Sequence, residues 1–317
     1  MACTARCVAG SVRNVRILCL GEPDVVDFYR GRGPLQMSAD FTVKEVMRPE
    51  EIHFSDARGC DVVYMPRPHK PEHVEVLQEF ARWGTKIWVD YDDLLTHLPF
   101  SNPAYHQFRG CSSAIRSAIE LSDVVTCSTA LLAEKFGGKV INNAVMFAPR
   151  EMKAKHSSVA WRGSASHAAD IDAYRSALPV NVSVHSLGHL PWQFVNEGHE
   201  VFHKPTSAIS KYWEALSLIE SHVLVVPLVD DVFNRCKSNI AALEAWSAGM
   251  IPVVPHWPEW RDLSPFTYTD KKSFKEATAA ALKAEPSDFV KRREAILAQY
   301  SLDEMNALRK EVLCGSK

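Results

Sequence analysis

Four stretches of this chain carry residue types and spacings suited to chemistry on a phosphorylated ligand. In residues 226–255 an apolar run gives way to a polar loop holding Phe233, Asn234, Arg235 and Lys237, and helical spacing starts near Ser238. Ser238 is placed to cap that helix. The unpaired N–H groups and positive dipole end of a helix start suit a pyrophosphate, and Arg235 and Lys237 add charge-assisted contacts. Glu244 offers a carboxylate to ribose hydroxyls, and Gly249 ends the helix. In residues 160–170, AWRGSASHAAD, a strand runs into Gly163 and Ser164 before a helix. Glycine lets a phosphate approach the backbone, and Arg162 and His167 can pair with it. In residues 89–99, VDYDDLLTHLP, the carboxylates Asp90, Asp92 and Asp93 crowd the end of a predicted strand. Crowded carboxylates raise one another's pKa, so one of them suits a general base toward an acceptor hydroxyl. In residues 27–35, DFYRGRGPL, Gly31 and Gly33 permit a tight loop flanked by Arg30 and Arg32. Arg67 and Lys70, after another strand, are placed to touch an acceptor.

These stretches need strands to present them. Apolar, β-branched runs are predicted as strands at residues 14–21, 41–47, 61–65, 86–91, 123–127 and 139–145. Helical spacing is predicted at 72–83, 112–121 and 130–136. A polar, basic, proline-containing linker covers 146–158. The alternation then restarts, with strands at 159–162, 180–187, 199–203, 222–228 and 250–255. Helices are predicted at 168–176, 210–219 and 237–248, and three more (272–283, 286–299, 302–313) close the chain. Alternation of this kind predicts an α/β protein with two doubly wound, Rossmann-like parallel sheets facing a cleft. The expected units are residues 1–150, residues 151–300, and a last helix at 301–317 crossing back to the first unit. In such sheets ligands sit at the carboxyl ends of strands, where the four stretches fall.

The 317 residues fit two domains. Thirty-six basic and 38 acidic residues leave a formal charge of −2, against a chain that coats nucleic acid non-specifically. A local patch from Arg6, Arg13 and Arg16 with Arg30, Arg32, Arg67 and Lys70 still permits contact with DNA. The eight cysteines contain no CxxC pair, and Cys19 and Cys127 read as small buried hydrophobes. No apolar run is long enough to span a membrane and the N-terminus lacks a signal-peptide core, so a reducing cytoplasm is expected.

The stretch at 226–255 resembles the donor-binding segment of GT-B glycosyltransferases with the E-x7-E signature. Leu243, Glu244, Ala245, Ala248, Gly249, Pro252, Val253 and Val254 match a pattern close to LEA-x-A-x-G-x-PVV. Glu244 falls at the second Glu of that signature, and Cys236 stands where the first would be. "FN-x-x-KS" (Phe233, Asn234, Lys237, Ser238), "W-x-G-S-x-x-H-x-x-D" at 161–170 and "D-x-DD" at 90–93 are similar to a subgroup found in bacterial polysaccharide clusters and phage genomes. The segments 122–128 and 142–144 resemble the same family's fold elements. The resemblance implies a nucleotide-sugar donor, a UDP-sugar first of all, held by Arg162, Gly163, Ser164, His167, Asn234, Arg235, Lys237, Ser238 and Glu244. It implies that a glycine-rich loop at Gly31 and Gly33 faces the diphosphate. Acceptor contacts are expected from Arg30, Arg32, Asp90 and Arg67, with Asp92 or Asp93 at the chemistry and no required metal. Asp90-Tyr91-Asp92 also spells the D-x-D of the GT-A fold, which would not explain a second strand–helix series. The expected acceptor is a hydroxymethylated pyrimidine in DNA, with a surface glycan as the alternative. A GT-B epimerase or a non-catalytic nucleotide-sugar-binding module are the rival functions.

Overall fold

The computed structural model describes residues 14–21, 24–46, 52, 54–205 and 208–315. Arg6 and Arg13 lie outside the described residues. Two six-stranded parallel sheets organise the chain. The first contains β1 (Val15–Leu20), β2 (Phe41–Val46), β3 (Val62–Pro66), β4 (Lys86–Tyr91), β5 (Val124–Cys127) and β6 (Lys139–Val140), in the order β2-β1-β3-β4-β5-β6. The second contains β7 (Ser158–Gly163), β8 (Ser183–Gly188), β9 (Val201–Pro205), β10 (Val223–Val225), β11 (Ile251–Pro255) and β12 (Thr267–Tyr268), in the order β12-β11-β10-β7-β8-β9. The central strands read as continuous apolar runs because both faces of each sheet are covered. Leu18, Val63, Ile87 and Val89 face one core of the first sheet, and Ile17, Tyr64 and Trp88 face the other. Trp246 and Ile251 lie in one core of the second sheet, and Val159, Val223 and Val253 in the other.

Four departures from the predicted elements have physical causes. Residues 27–35 are not a loop: the helices Val25–Arg30 and Arg32–Gln36 meet at Gly31. A Cβ at Gly33 would overlap the Phe28 carbonyl, and one at Gly31 would lie 2.6 Å from Asp27 Oδ1. These glycines let two short helices pack closely. The predicted strand 139–145 pairs only at β6. Beyond it the chain turns toward the second domain, where Val145 N–H donates to the Tyr300 carbonyl at 2.8 Å. The helix predicted at 237–248 spans Ile240–Ser247, and no side chain caps it at Asn239. The two-residue β12, absent from the predicted set, exists through pairing with β11.

Residues 150–153 run over the end of the helix Ile240–Ser247. Arg150 N–H bonds the Ser247 carbonyl at 2.7 Å, and Lys153 N–H bonds the Gly249 carbonyl at 2.9 Å. Gly249 has φ +78, and a Cβ there would overlap the Glu151 carbonyl oxygen. The last helix, Leu302–Cys314, packs on the first sheet: Leu313 joins the core of Ile17, Tyr64 and Trp88. Asn306 Nδ2 donates to the Pro34 carbonyl at 2.8 Å, and Lys310 Nζ lies 2.6 Å from Asp40 Oδ1. Tyr29, Ala144, Met146 and Met305 form a small core at the junction of the two sheets, and Phe147 stacks on Trp213 with ring centroids 4.4 Å apart.

Candidate active site

A cavity of about 500 Å³ opens between the sheets at the carboxyl ends of their strands. Strand order reverses between β1 and β3 in the first sheet and between β7 and β10 in the second. The chain after each of these strands is therefore free to line the crevice, which is where doubly wound sheets hold ligands.

From the second domain, the turn after β7 brings Arg162, Ser164, Ser166 and His167 to the cavity, and the loop after β10 brings Lys237 and Ser238. Asp170 ties the two together. Its carboxylate accepts from His167 Nδ1 at 2.9 Å, from Val229 N–H at 2.9 Å and from Asn234 Nδ2 at 2.8 Å. His167 bears its proton on Nδ1, facing Asp170, which leaves Nε2 as an acceptor. Burial, then the nearby Lys237 charge, lower the His167 pKa against the pull of Asp170. Lys237 Nζ sits 4.6 Å over the Phe233 ring and 4.0 Å from Asp93 Oδ1. Ser238 does not cap the helix; its hydroxyl accepts from Asn143 Nδ2 of the first domain at 2.9 Å.

From the first domain come Asp92, Asp93 and Arg67. Arg67 has a left-handed backbone, φ +48, an uncommon and strained conformation for a residue with a side chain. It follows directly after β3, and its N–H donates to the Asp90 carbonyl at 2.8 Å. Its guanidinium binds Asp92 through Nε and through Nη2 at 2.8 Å, and Nη2 also reaches Asp93 Oδ2 at 2.6 Å. Burial opposes ionisation of Asp92, but Arg67 and then Arg30 outweigh it and hold the carboxyl below the usual range. Asp92 is thus held in its ionised form by Arg67. Asp93 keeps Oδ1 turned toward Lys237.

Other expected site residues lie elsewhere. Arg30 is 2% exposed and Asp90 is 1% exposed; they form a salt bridge, with Arg30 Nε 2.9 Å from Asp90 Oδ2. Thr126 Oγ1 donates to the same carboxylate at 2.5 Å. Neither side chain reaches an acceptor: each was left legible as a charge, and each is the other's counter-ion. Arg32 is buried against Asp27 at 2.6 Å and Glu45 at 3.3 Å. Gly31 and Gly33 do not line the cavity, and neither does Gly163, which packs beneath the Trp161 ring. Asn234 is buried as the fastener of Asp170, and Arg235 is exposed, paired with Asp230. Glu244 is 3% exposed and lies behind the cavity wall. Its oxygens accept from Tyr29 Oη and from Tyr212 Oη at 2.8 Å, and Arg162 Nε stands 2.7 Å from Oε2.

Sequence reasoning missed Tyr29, Asn102, Asn143 and Trp260 in the cavity wall, and Tyr212 behind it. Tyr29 and Asn143 lay inside stretches that were read for other reasons. Tyr212, in the middle of an amphipathic helix, gave no signal. Among the described residues no group of three or more His, Cys, Asp and Glu is arranged to hold a metal ion. Among them, too, no helix is long and apolar enough to cross a membrane. Cys19 and Cys127 are buried thiols.

The fold is α/β, with two six-stranded, Rossmann-like parallel sheets facing a cleft. No family model matches the chain, and no curated protein matches it. Among solved structures it is similar to CalG4, the calicheamicin glycosyltransferase: 12% identity, 95% of this chain and 98% of that chain covered, TM-score 0.44. It is also similar to a UDP-glucosyltransferase from Polygonum tinctorium, at 8% identity over 97% of this chain and 100% of that chain, with TM-score 0.45. A third is MurG of Acinetobacter baumannii, at 10% identity over 96% of each chain, with TM-score 0.41.

Proposed function

We propose that the protein is a glycosyltransferase that moves a sugar from a nucleotide-sugar donor, a UDP-sugar first of all, to an acceptor hydroxyl. One observation carries this reading. In a single cavity, cationic and hydroxyl groups from the second domain face carboxyl groups from the first, with Lys237 Nζ 4.0 Å from Asp93 Oδ1. Glycosyl transfer needs both halves: positive charge and donors for the departing diphosphate, and a carboxylate to take the acceptor proton.

The second domain, residues 151–300, holds the donor. Its diphosphate lies against Arg162, Ser164, Lys237 and Ser238, whose charge and donors need no metal to assist them, while His167 offers its Nε2 as an acceptor to a donor hydroxyl. The first domain, residues 1–150, holds the acceptor, and the helix Leu302–Cys314 joins it from the far end of the chain. The diphosphate draws Lys237 away from Asp93, which leaves the Asp93 carboxylate open to the acceptor hydroxyl. Asp92 stays ionised and keeps Arg67 in place.

The acceptor is a sugar or another small polyhydroxyl ring. On its side of the cavity Leu95, Leu98 and Phe108 give an apolar patch beside Asn102, next to the charged Arg67, Asp92 and Asp93. The DNA acceptor has less support, because Arg30, Arg32 and Arg67 are neutralised by Asp90, Asp27, Asp92 and Asp93 within the fold, and Arg16 by Asp61. A phosphate backbone needs cations that are free to replace its counterions.

The test is to incubate the protein with a panel of nucleotide sugars and with glycan and hydroxymethylated-DNA acceptors, then weigh the products. The expected result is release of nucleoside diphosphate with one glycosyl mass added to a glycan, abolished by Lys237→Ala. No binding of any nucleotide sugar and no added mass would overturn the reading. Transfer to DNA alone would overturn the acceptor.

A further inference from the structure

We propose that Glu244 is not a ribose ligand but the positioning counter-ion of Arg162, and that Arg162 reads the donor diphosphate. This rests on the nucleotide-sugar reading of the cavity. A carboxylate has two oxygens and about four lone-pair directions. At Glu244, Oε1 takes the Tyr29 hydroxyl, while Oε2 takes the Tyr212 hydroxyl at 2.8 Å and faces Arg162 Nε at 2.7 Å. Glu244 is 3% exposed and Tyr29 is 7% exposed, so a ribose diol would have to displace a phenol that is itself buried. Burial, and then Glu244 itself, push both phenols well above their ordinary pKa. They therefore stay protonated donors to the carboxylate over any working pH.

Arg162 is the member of this group, with Tyr29, that also lines the cavity. Its guanidinium is ion-paired with Glu244, Nε 2.7 Å from Oε2, and Nε and Nη2 are both buried with no hydrogen-bond partner. A buried cationic N–H without an acceptor is costly. The planar fork of arginine suits the paired oxygens of a phosphate. An anion in the cavity supplies the missing acceptor, and Glu244 and Tyr212 fix where the fork points. Tyr29 comes from the first domain, in the helix Val25–Arg30, whereas Glu244 and Arg162 belong to the second. The phosphate-reading arginine is thus fully held only when the two domains meet.

The discriminating measurement is calorimetric binding of UDP, GDP and ADP to the full chain, followed by the 2′-deoxy and 3′-deoxy forms of the tightest. Wild type is expected to bind the deoxy forms within about threefold of the parent. Glu244→Gln is expected to weaken all three by tenfold or more and by the same factor, because what it disturbs is Arg162. Arg162→Lys is expected to do the same, and the two changes together to cost less than their sum, since they act through one contact. A tenfold preference of wild type for the intact ribose, lost in Glu244→Gln, overturns the proposal and restores Glu244 as ribose ligand. Where Glu244→Gln does not fold, Tyr29→Phe decides. A several-fold loss of diphosphate affinity with an unchanged deoxy ratio supports the proposal, and no loss overturns it. Absence of binding by any nucleoside diphosphate overturns the nucleotide-sugar reading, and this inference with it.

Discussion

At the scale of the residue, the two neighbouring carboxylates of the cleft have different tasks because of one guanidinium. Arg67 binds both oxygens of Asp92 but only Oδ2 of Asp93. Asp93→Asn is therefore expected to lower kcat by about 10²-fold or more, the scale of a lost general base, with thermal stability nearly unchanged. Asp92→Asn should cost stability first, since it leaves Arg67 partly unpaired, and equal loss of kcat in both variants would refute the division of roles. His167 offers a second check. Its pKa is lowered from 6.5 by burial and by Lys237, so an NMR titration of its ring protons should have a midpoint below 6.5. On the same grounds the neutral ring persists through neutral pH, and an acid limb that depends on it falls on the low side of that value. The residue types at 90–93 and 162–167 were legible in the sequence; which carboxylate a distant arginine would clamp was not.

At the scale of the element, most strands and helices were legible because the apolar runs of a covered parallel sheet are local and continuous. β4 and the helices Ser112–Leu121 and Ala130–Phe136 begin and end where the sequence predicts them. Failures cluster where an element depends on a distant partner. β6 stops after two residues because the chain must leave for the second domain, and the two helices at 25–36 depend on packing that Gly31 and Gly33 permit. Gly249 joins helix, linker and strand at one point. Gly249→Ala imposes both a left-handed φ on alanine and an overlap with the Glu151 carbonyl. The expected loss is about 2 kcal/mol or more in denaturant unfolding, and a loss under 0.5 kcal/mol would mean that the linker does not pack there as described.

At the scale of the whole molecule, the contact between sheets carries its own pH dependence. Asn142 Nδ2 of the first domain donates to Glu259 Oε1 of the second at 3.0 Å, and burial raises the Glu259 pKa from 4.5 to about 8. A carboxyl whose pKa is raised on folding favours the folded state while it is protonated. That contribution is complete below 4.5 and is lost as pH rises through about 8. Wild type should therefore lose melting temperature between pH 5 and pH 9, and Glu259→Gln should remove part of that slope. The variant should be more stable than wild type at pH 9, by roughly 1–3 kcal/mol, and similar at pH 4. Identical pH profiles for the two proteins would show that Glu259 ionises as freely folded as unfolded.

The sequence by itself determined the architecture and the second domain's side of the cavity. Apolar periodicity acts over a few residues, and Ser164, His167 and Lys237 follow strands whose carboxyl ends open on the cleft. Only the tertiary structure decided which charges remain free to act. Arg30 meets Asp90 across 60 positions, and Glu244 meets Tyr29 across 215. A sequence displays each charge but not its counter-ion, because burial and pairing are set by surfaces that come together only when the sheets pack.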